Sequence, residues 1–237
     1  MKYAFLLAGF ILGVCIKGAL PLDLEVAVGR SEFTAPQTGI WWWDQFGFNG
    51  NLRVPSFEIG ACHRMGDFSI HGAYLDLGTA TGLNVAGMRD DEFGKYNTSR
   101  PCDTNLQKNC LGYFSTSQHV VGVLLGGAYG RSFKGVHLEG EVGQYLYMTE
   151  MNVGIWCPNC GIGSKYAFGG GGTFSSTSDI RRSPYIAVKA AYKNAFITYR
   201  RFSNINGDGG SLNGIEEQFS IGLTSGPVNQ IMVGVTL

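Results

Sequence analysis

Charge is scarce in this sequence: Asp, Glu, Lys and Arg make up only 15% of its 237 residues, and 18 basic side chains balance 18 acidic ones. A chain without a net field has no electrostatic pull toward nucleic acid or an anionic surface, so nucleic-acid partners are set aside first. Long apolar runs are missing too. The run from Ala4 to Val14 falls short of the about 20 apolar residues that a helix needs to cross a bilayer, and no later segment qualifies, so no helical membrane anchor is expected. Gly169 to Gly172 lacks the Lys-Ser/Thr ending of a phosphate loop and reads as a flexible tip. What the chain does have is 36 Gly, 15 Phe and 11 Tyr, a mixture suited to strands and turns.

The first twenty residues stand apart. Lys2 gives a positive start, the apolar run follows, and Gly18-Ala19 place small residues before Pro21. That layout predicts a signal peptide over 1–20 and one exported domain over 21–237. Leu12-Gly13-Val14-Cys15 is a poor lipoprotein box because Val14 is bulky where a small residue belongs. In an oxidising compartment Cys102 and Cys110 are candidates for one disulfide, and Cys157 and Cys160 for another, leaving Cys62 free. Cys157-Pro158-Asn159-Cys160 has no second Cys or His pair to complete a zinc site, so no metal and no cofactor are expected.

The dominant pattern has period two, which sends successive side chains to opposite faces of a strand. Leu22, Leu24, Val26 and Val28 share one face, with Asp23, Glu25, Ala27 and Gly29 on the other. Val136, Leu138, Val142, Leu146 and Met148 oppose His137, Glu139, Glu141, Tyr145 and Tyr147, and Phe57, Ile59 and Ala61 oppose Ser56, Glu58 and Cys62. Soluble sandwiches also alternate. Loop rhythm separates the two cases. Candidate strands at 22–33, 52–64, 68–80, 116–131, 136–150, 184–192, 195–203 and 214–224 are joined by connections that alternate long and short. Outer-membrane barrels pair brief periplasmic turns with long external loops in this way. The expected fold is an all-β, antiparallel up-and-down transmembrane barrel of eight strands, or ten, because 230–237 also alternates after a turn at Thr224 to Pro227. Phe33, Tyr74, Tyr113, Phe114, Tyr192 and Phe202 fall near strand ends and suggest interfacial girdles, and Trp41-Trp42-Trp43 lies in a loop.

Two constellations are candidates for function. On the non-oily faces, Asp23, Glu25, Glu58, His137, Glu139 and Glu141, with Lys189 and Arg30 or Arg53 as partners, read as a buried charge network filling a small lumen. The second is Tyr199-Arg200-Arg201-Phe202-Ser203-Asn204, followed by a Gly-rich loop and Asn213-Gly214-Ile215-Glu216. These roughly 25 residues, 200–224, resemble the C-terminal signature of outer-membrane lipid A deacylases and related acyloxyacyl-hydrolase-like barrels. The resemblance implies Ser203 as nucleophile and Glu216, offset by one residue, as the acidic member of a triad. Arg201 stands where that family has its His. A guanidinium stays protonated and does not take a proton from a hydroxyl, so the implied triad lacks its base.

The sequence therefore predicts an integral outer-membrane barrel with a structural or loop-mediated surface role. A lipid A or phospholipid ester hydrolase using Ser203 is the alternative. The expected partners are outer-membrane lipid, lipopolysaccharide included, and an external ligand of the loops.

Overall fold

The computed structural model describes residues 22–34, 49–90, 95–97, 110–157, 170–206 and 225–237. Among the described residues eleven strands form in chain order: β1 (Asp23–Glu32), β2 (Asn49–Asn51), β3 (Arg53–Met65), β4 (Phe68–Asp90), β5 (Lys95–Asn97), β6 (Cys110–Phe133), β7 (Val136–Cys157), β8 (Gly170–Thr177), β9 (Arg181–Tyr192), β10 (Ala195–Asn206) and β11 (Ser225–Thr236). Eight of them, β1, β3, β4, β6, β7, β9, β10 and β11, each pair antiparallel with two neighbours, and the β1–β11 ladder closes the sheet on itself. The result is an up-and-down barrel without a free edge, the arrangement that satisfies every backbone hydrogen bond inside a bilayer.

Three short turns sit at one end. Gly66, Lys134, Gly135 and Lys193 adopt positive φ there. Lys134 and Gly135 make a two-residue reversal with positive φ at both positions, whose twist matches that of the flanking strands. The strand ends from which the longer connections leave lie at the opposite end. Strands are steeply tilted, as a walk along the ladders shows: Val26 pairs with Ile59, Ile59 with Tyr74, Tyr74 with Val123, Val123 with Leu146, and Leu146 with Arg182. That walk climbs from mid-wall to the loop-side end of β9, which is the stagger a closed barrel requires.

Three expectations need correction. The last barrel strand is Ser225–Thr236, so the candidate at 230–237 belongs to the barrel, while 214–224 lies outside the described residues. Gly226-Pro227 looks like a turn but is strand, because β10 is bulged opposite it, between Phe202 and Ile205. A bulge leaves that position without a ladder bond, so the missing Pro N–H costs nothing there. Second, β4, β6 and β7 run well past the expected ends, and β8 pairs with β7, so Gly170 to Gly172 are strand residues. Third, Phe33 and Phe202 point inward and are buried, so neither belongs to a girdle.

Burial is inverted relative to a water-soluble barrel. Leu24, Val28, Ile59, Phe68, Ile70, Leu125, Leu138, Val142, Ile186, Val188, Ile197, Ile231 and Val233 are all more than half or nearly half exposed on the outer wall. Glu25, Glu58, His71, Glu139, Glu141, Lys189 and Arg200 are buried inside it. An apolar outside with a charged inside is stable only when the solvent around the wall is hydrocarbon. Phe68, Tyr129, Phe133 and Tyr192 are exposed at the turn-side end, with Phe68 and Tyr129 rings 5.1 Å apart. Arg131 and Lys193 lie over Tyr129 and Tyr192, as basic residues do when they reach from a membrane interface toward water.

Candidate functional site

The lumen is built from the inward residues of all eight barrel strands. Its loop-side half is apolar: Phe33, Val54, Leu75, Leu77, Val120, Leu124, Tyr145, Tyr147, Phe202, Ile205 and Val228 form one buried cluster. Tyr145 and Tyr147 stack at 5.4 Å, Phe202 packs 5.2 Å from Tyr145, and the Tyr145 hydroxyl donates to the Leu75 carbonyl at 3.0 Å. Glycine makes room for this filling. Gly126 and Gly143 face each other across β6 and β7, and a Cβ on either would collide with the Tyr185 side chain.

Below the apolar plug lies the charged layer. Arg200 on β10 donates through Nη1 to Glu58 Oε2 at 2.7 Å and to Gln230 Oε1 at 2.8 Å, and its guanidinium covers the Tyr185 ring at 5.4 Å. His71 on β4 meets Glu141 at 3.1 Å through Nδ1, while its Nε2 lies 3.6 Å from Glu58 and 3.8 Å from Glu25. Tyr185 donates to the same Glu141 oxygen, and Lys189 bridges to Glu25 and, at 4.0 Å, to Glu139, which also accepts from Ser69 at 2.7 Å. Lys189 additionally lies 4.4 Å above the Phe196 ring. Each carboxylate thus has a positive or hydroxyl partner, which is the condition for burying it.

Glu25, Glu58, Glu139, Glu141 and Lys189 come together in this layer. Asp23 and His137 stand at its turn-side mouth instead: Asp23 pairs with Arg64 at 3.4 Å, and His137 meets Ser132 at 3.1 Å and Glu139 at 3.8 Å. Arg30 and Arg53 do not enter the lumen. Both sit on the outer wall, because they share parity with Val28 and Phe57, and Arg53 pairs with Glu32 at 2.7 Å. Arg200, His71 and Tyr185 were missed by sequence reading. Parity marks all three, since Arg200 alternates with Tyr199 and Arg201, His71 with Ile70, and Tyr185 with Ile186. Among the described residues no group of three or more His, Cys, Asp or Glu converges on a cation position.

The triad implied by resemblance fares differently. Arg201 and Ser203 are exposed on the outside of β10. Neither neighbouring strand, β9 or β11, carries a histidine, and the chain's four lie on β3, β4, β6 and β7. Strands two apart are separated by roughly 10 Å, beyond hydrogen-bond reach of the Ser203 hydroxyl. Glu216 lies outside the described residues, as do Cys102, Cys160, Trp41-Trp42-Trp43 and the side chains of Cys110 and Cys157. Cys62 is free and buried.

A second constellation rings the outer wall at the loop-side edge of the apolar belt. On β4 the membrane-facing segment runs from Phe68 to Tyr74, on β6 from Phe133 up to Val121, and on β7 from Val136 to Met148. Beyond it stand Asp76, His119 and Glu150. His119 Nε2 donates to both Asp76 oxygens at 3.0 Å, and its Nδ1 lies 3.8 Å from Glu150. On the opposite side of the rim basic residues predominate: Arg182 on β9, Arg201 on β10 and Arg30 on β1 are exposed, beside the Glu32–Arg53 pair of β1 and β3. Asn229 of β11 is the ladder partner of Arg201 on one side and of Glu32 on the other, and its Oδ1 accepts from the Tyr199 hydroxyl at 2.9 Å.

Closed register, inverted burial and a packed interior define a small transmembrane β-barrel of eight strands, filled rather than open. No family model and no curated protein matches the chain. Among solved structures it is similar to Ail, the attachment invasion locus protein of Yersinia pestis, solved in complex with the heparin analogue sucrose octasulfate, at 11% identity over 91% of this chain and 96% of that one, with a TM-score of 0.40. It is also similar to Neisserial surface protein A, at 10% identity over 93% of this chain and 99% of that one, with a TM-score of 0.39.

Proposed function

We propose that this chain is an integral outer-membrane protein that acts as a closed platform, holding its loop-side connections at the cell surface for contact with an external partner. One observation carries the reading. Aliphatic side chains cover the outside of a closed barrel while Glu58, Glu141, Lys189 and Arg200 are sealed inside it, so the protein belongs in hydrocarbon and offers no aqueous passage. With three tight turns at one end, the surface available for recognition is the other end. Export through a leader at residues 1–20 fits that location. Ester hydrolysis at Ser203 lacks support, because an outward hydroxyl with no histidine on either adjacent strand has no base to activate it.

The test is fractionation of expressing cells, followed by electrophoresis with and without boiling. A folded barrel recovered with outer membranes migrates faster before boiling than after it. Recovery only as a soluble periplasmic protein, with migration insensitive to heat, overturns the reading. N-terminal sequencing of the purified protein reads the leader directly: a start near Leu20 or Pro21 is expected.

A further inference from the structure

Gln144 interrupts the apolar row on the outside of β7. It is exposed, and it stands between Val142 and Leu146 in the stretch that runs from Val136 at the turn end to Met148 below the rim. The tilted strand between Gln144 and Met148 sets the carboxamide roughly 10 Å inside the apolar belt. Its ladder partners, Leu125 on β6 and Pro184 on β9, are exposed on the same wall. Arg182, diagonal to it at the rim, makes no hydrogen bond with it, and the carboxamide has no partner among the described residues. A carboxamide carries two donors and an acceptor, and hydrocarbon satisfies none of them.

Two glycines beside it supply a second, independent observation. A Cβ added at Gly140 meets nothing within 4 Å, and at Gly127, diagonal to Gln144 on β6, the nearest atom is the Ser69 carbonyl oxygen at 4.0 Å. Neither glycine has a positive φ. At Gly126 and Gly130, by contrast, a Cβ would collide with Tyr185 and with Glu139 inside the barrel. A single barrel thus gains nothing from glycine at 127 and 140, where a side chain would fit and would favour the strand. Tyr129 is the ladder partner of Gly140, but its ring packs 5.1 Å from Phe68 and leaves the notch uncovered. Glycine inside a strand often marks a place where another backbone comes close.

We infer that two copies of this chain associate in the membrane through the wall of β6, β7 and β9, with their Gln144 carboxamides hydrogen-bonded to each other across a twofold axis. Such an axis brings a residue against its own copy. A carboxamide is its own complement, because each N–H donates to the carbonyl oxygen of the other group. Acyl chains offer neither a donor nor an acceptor, and an unrelated partner would need a polar side chain at the same depth, which a second copy supplies by construction. The notch at Gly127 and Gly140 lets the two walls approach until those bonds form, as small residues do between membrane helices. The contact leaves the loop-side end free, so it pairs two platforms without occupying their recognition surface. It rests on the membrane reading above.

The experiment uses the full folded barrel in neutral detergent, with sedimentation equilibrium in density-matched solvent at several protein-to-detergent ratios. Wild type is expected to follow a monomer-to-dimer equilibrium whose dimer fraction rises with that ratio. Q144L should weaken the dimer about tenfold, the scale of a hydrogen-bonded contact between membrane segments. Its monomer should be no less stable than wild type in urea titration, since leucine suits the lipid better, and this separates a lost contact from a damaged fold. G140L keeps the carboxamide but fills the notch, and should weaken the dimer on its own. V28L on β1, across the barrel from β7, should leave the equilibrium unchanged. A wild type that is monomeric at every ratio overturns the inference. So does a dimer that Q144L and G140L both leave intact, because it would form through another face, and indefinite association overturns the twofold geometry. Heat-modifiable migration of each sample separates these failures from failure of the membrane reading, since a barrel that folds in detergent and stays monomeric sinks only the interface.

Discussion

Arg200 is fully enclosed, and its charge is answered by Glu58 at 2.7 Å and by Gln230 at 2.8 Å. Removing one member of such a pair strands the other, which costs about 3–5 kcal/mol, whereas replacing both by apolar groups of similar volume is often near neutral. R200A is therefore expected to lower unfolding stability in detergent by about 3–5 kcal/mol, and E58M/R200M to recover most of that loss; urea titrations of the two variants check it. Parity alone places Arg200 inside, yet the eye is drawn to Arg201, because a resemblance to a catalytic signature weights the residue that replaces a histidine over its inward neighbour. At the rim, burial pushes the Asp76 carboxyl up, but the hydrogen bond from His119, the Gly78 N–H at 2.7 Å and the imidazolium charge together hold it below its usual value. The hydrogen bond to Asp76 raises His119, against the opposing effect of burial. A depressed acid stabilises above its unfolded value and loses that as pH falls through the folded one; a raised histidine stabilises below its unfolded value and loses that as pH rises through the folded one. The pair thus contributes fully between the ordinary values of the two groups, 3.8 and 6.5. The stability difference between wild type and H119Q should be largest in that window and shrink on either side, as unfolding series from pH 3 to pH 9 would show; a difference independent of pH contradicts it.

At the level of elements, the strands that were legible are those whose two faces differ most. In β1, β3 and β7 aliphatic residues alternate with acids, and the lipid-facing row follows directly from the order of residues. β11 was read short because Gly226-Pro227 has the chemistry of a turn, and only the bulge on the neighbouring β10 makes a proline acceptable inside that strand. Such a bulge is a property of the pair and is invisible in either strand alone. The extensions of β4, β6 and β7 were missed for a related reason: outward rows such as Thr79, Thr81, Ser117 and Asn152 have left the hydrocarbon while the inward row is apolar here, with Leu77, Ala80 and Val120 buried, so the oily-out, polar-in signal is lost while the ladder continues. The turn joining β6 to β7 carries its own prediction. Lys134 is held at φ 50, a conformation that costs a non-Gly residue roughly 1 kcal/mol and that Asn tolerates better. K134N should stabilise the barrel by up to about 1 kcal/mol through a Lys134–Gly135 turn recast as Asn-Gly, visible as a higher urea midpoint with unchanged slope.

For the molecule as a whole, the decisive property is that eight strands enclose a space side chains can fill, and here they do fill it. Tyr145, Tyr147, Tyr185, Phe202, Leu75 and Leu124 seal the loop-side half, and the Glu58–Arg200, Glu25–Lys189 and Glu141–His71 pairs cross the lower half from wall to wall. A hydrated ion entering from either mouth would have to displace aromatic packing or break a desolvated ion pair, and each barrier amounts to several kcal/mol. Purified protein inserted into a planar bilayer is accordingly expected to carry no steady ionic current at moderate voltage. Y145A/F202A, which removes two rings 5.2 Å apart from the plug, opens only the loop-side half and should still block. Combining it with R200A and E58A removes the layer beneath and should admit small flickering currents if the barrel remains folded by heat-modifiable migration. Discrete, stable conductance steps from wild type would mean that the lumen opens in the membrane, and would replace a closed platform with a gated pore.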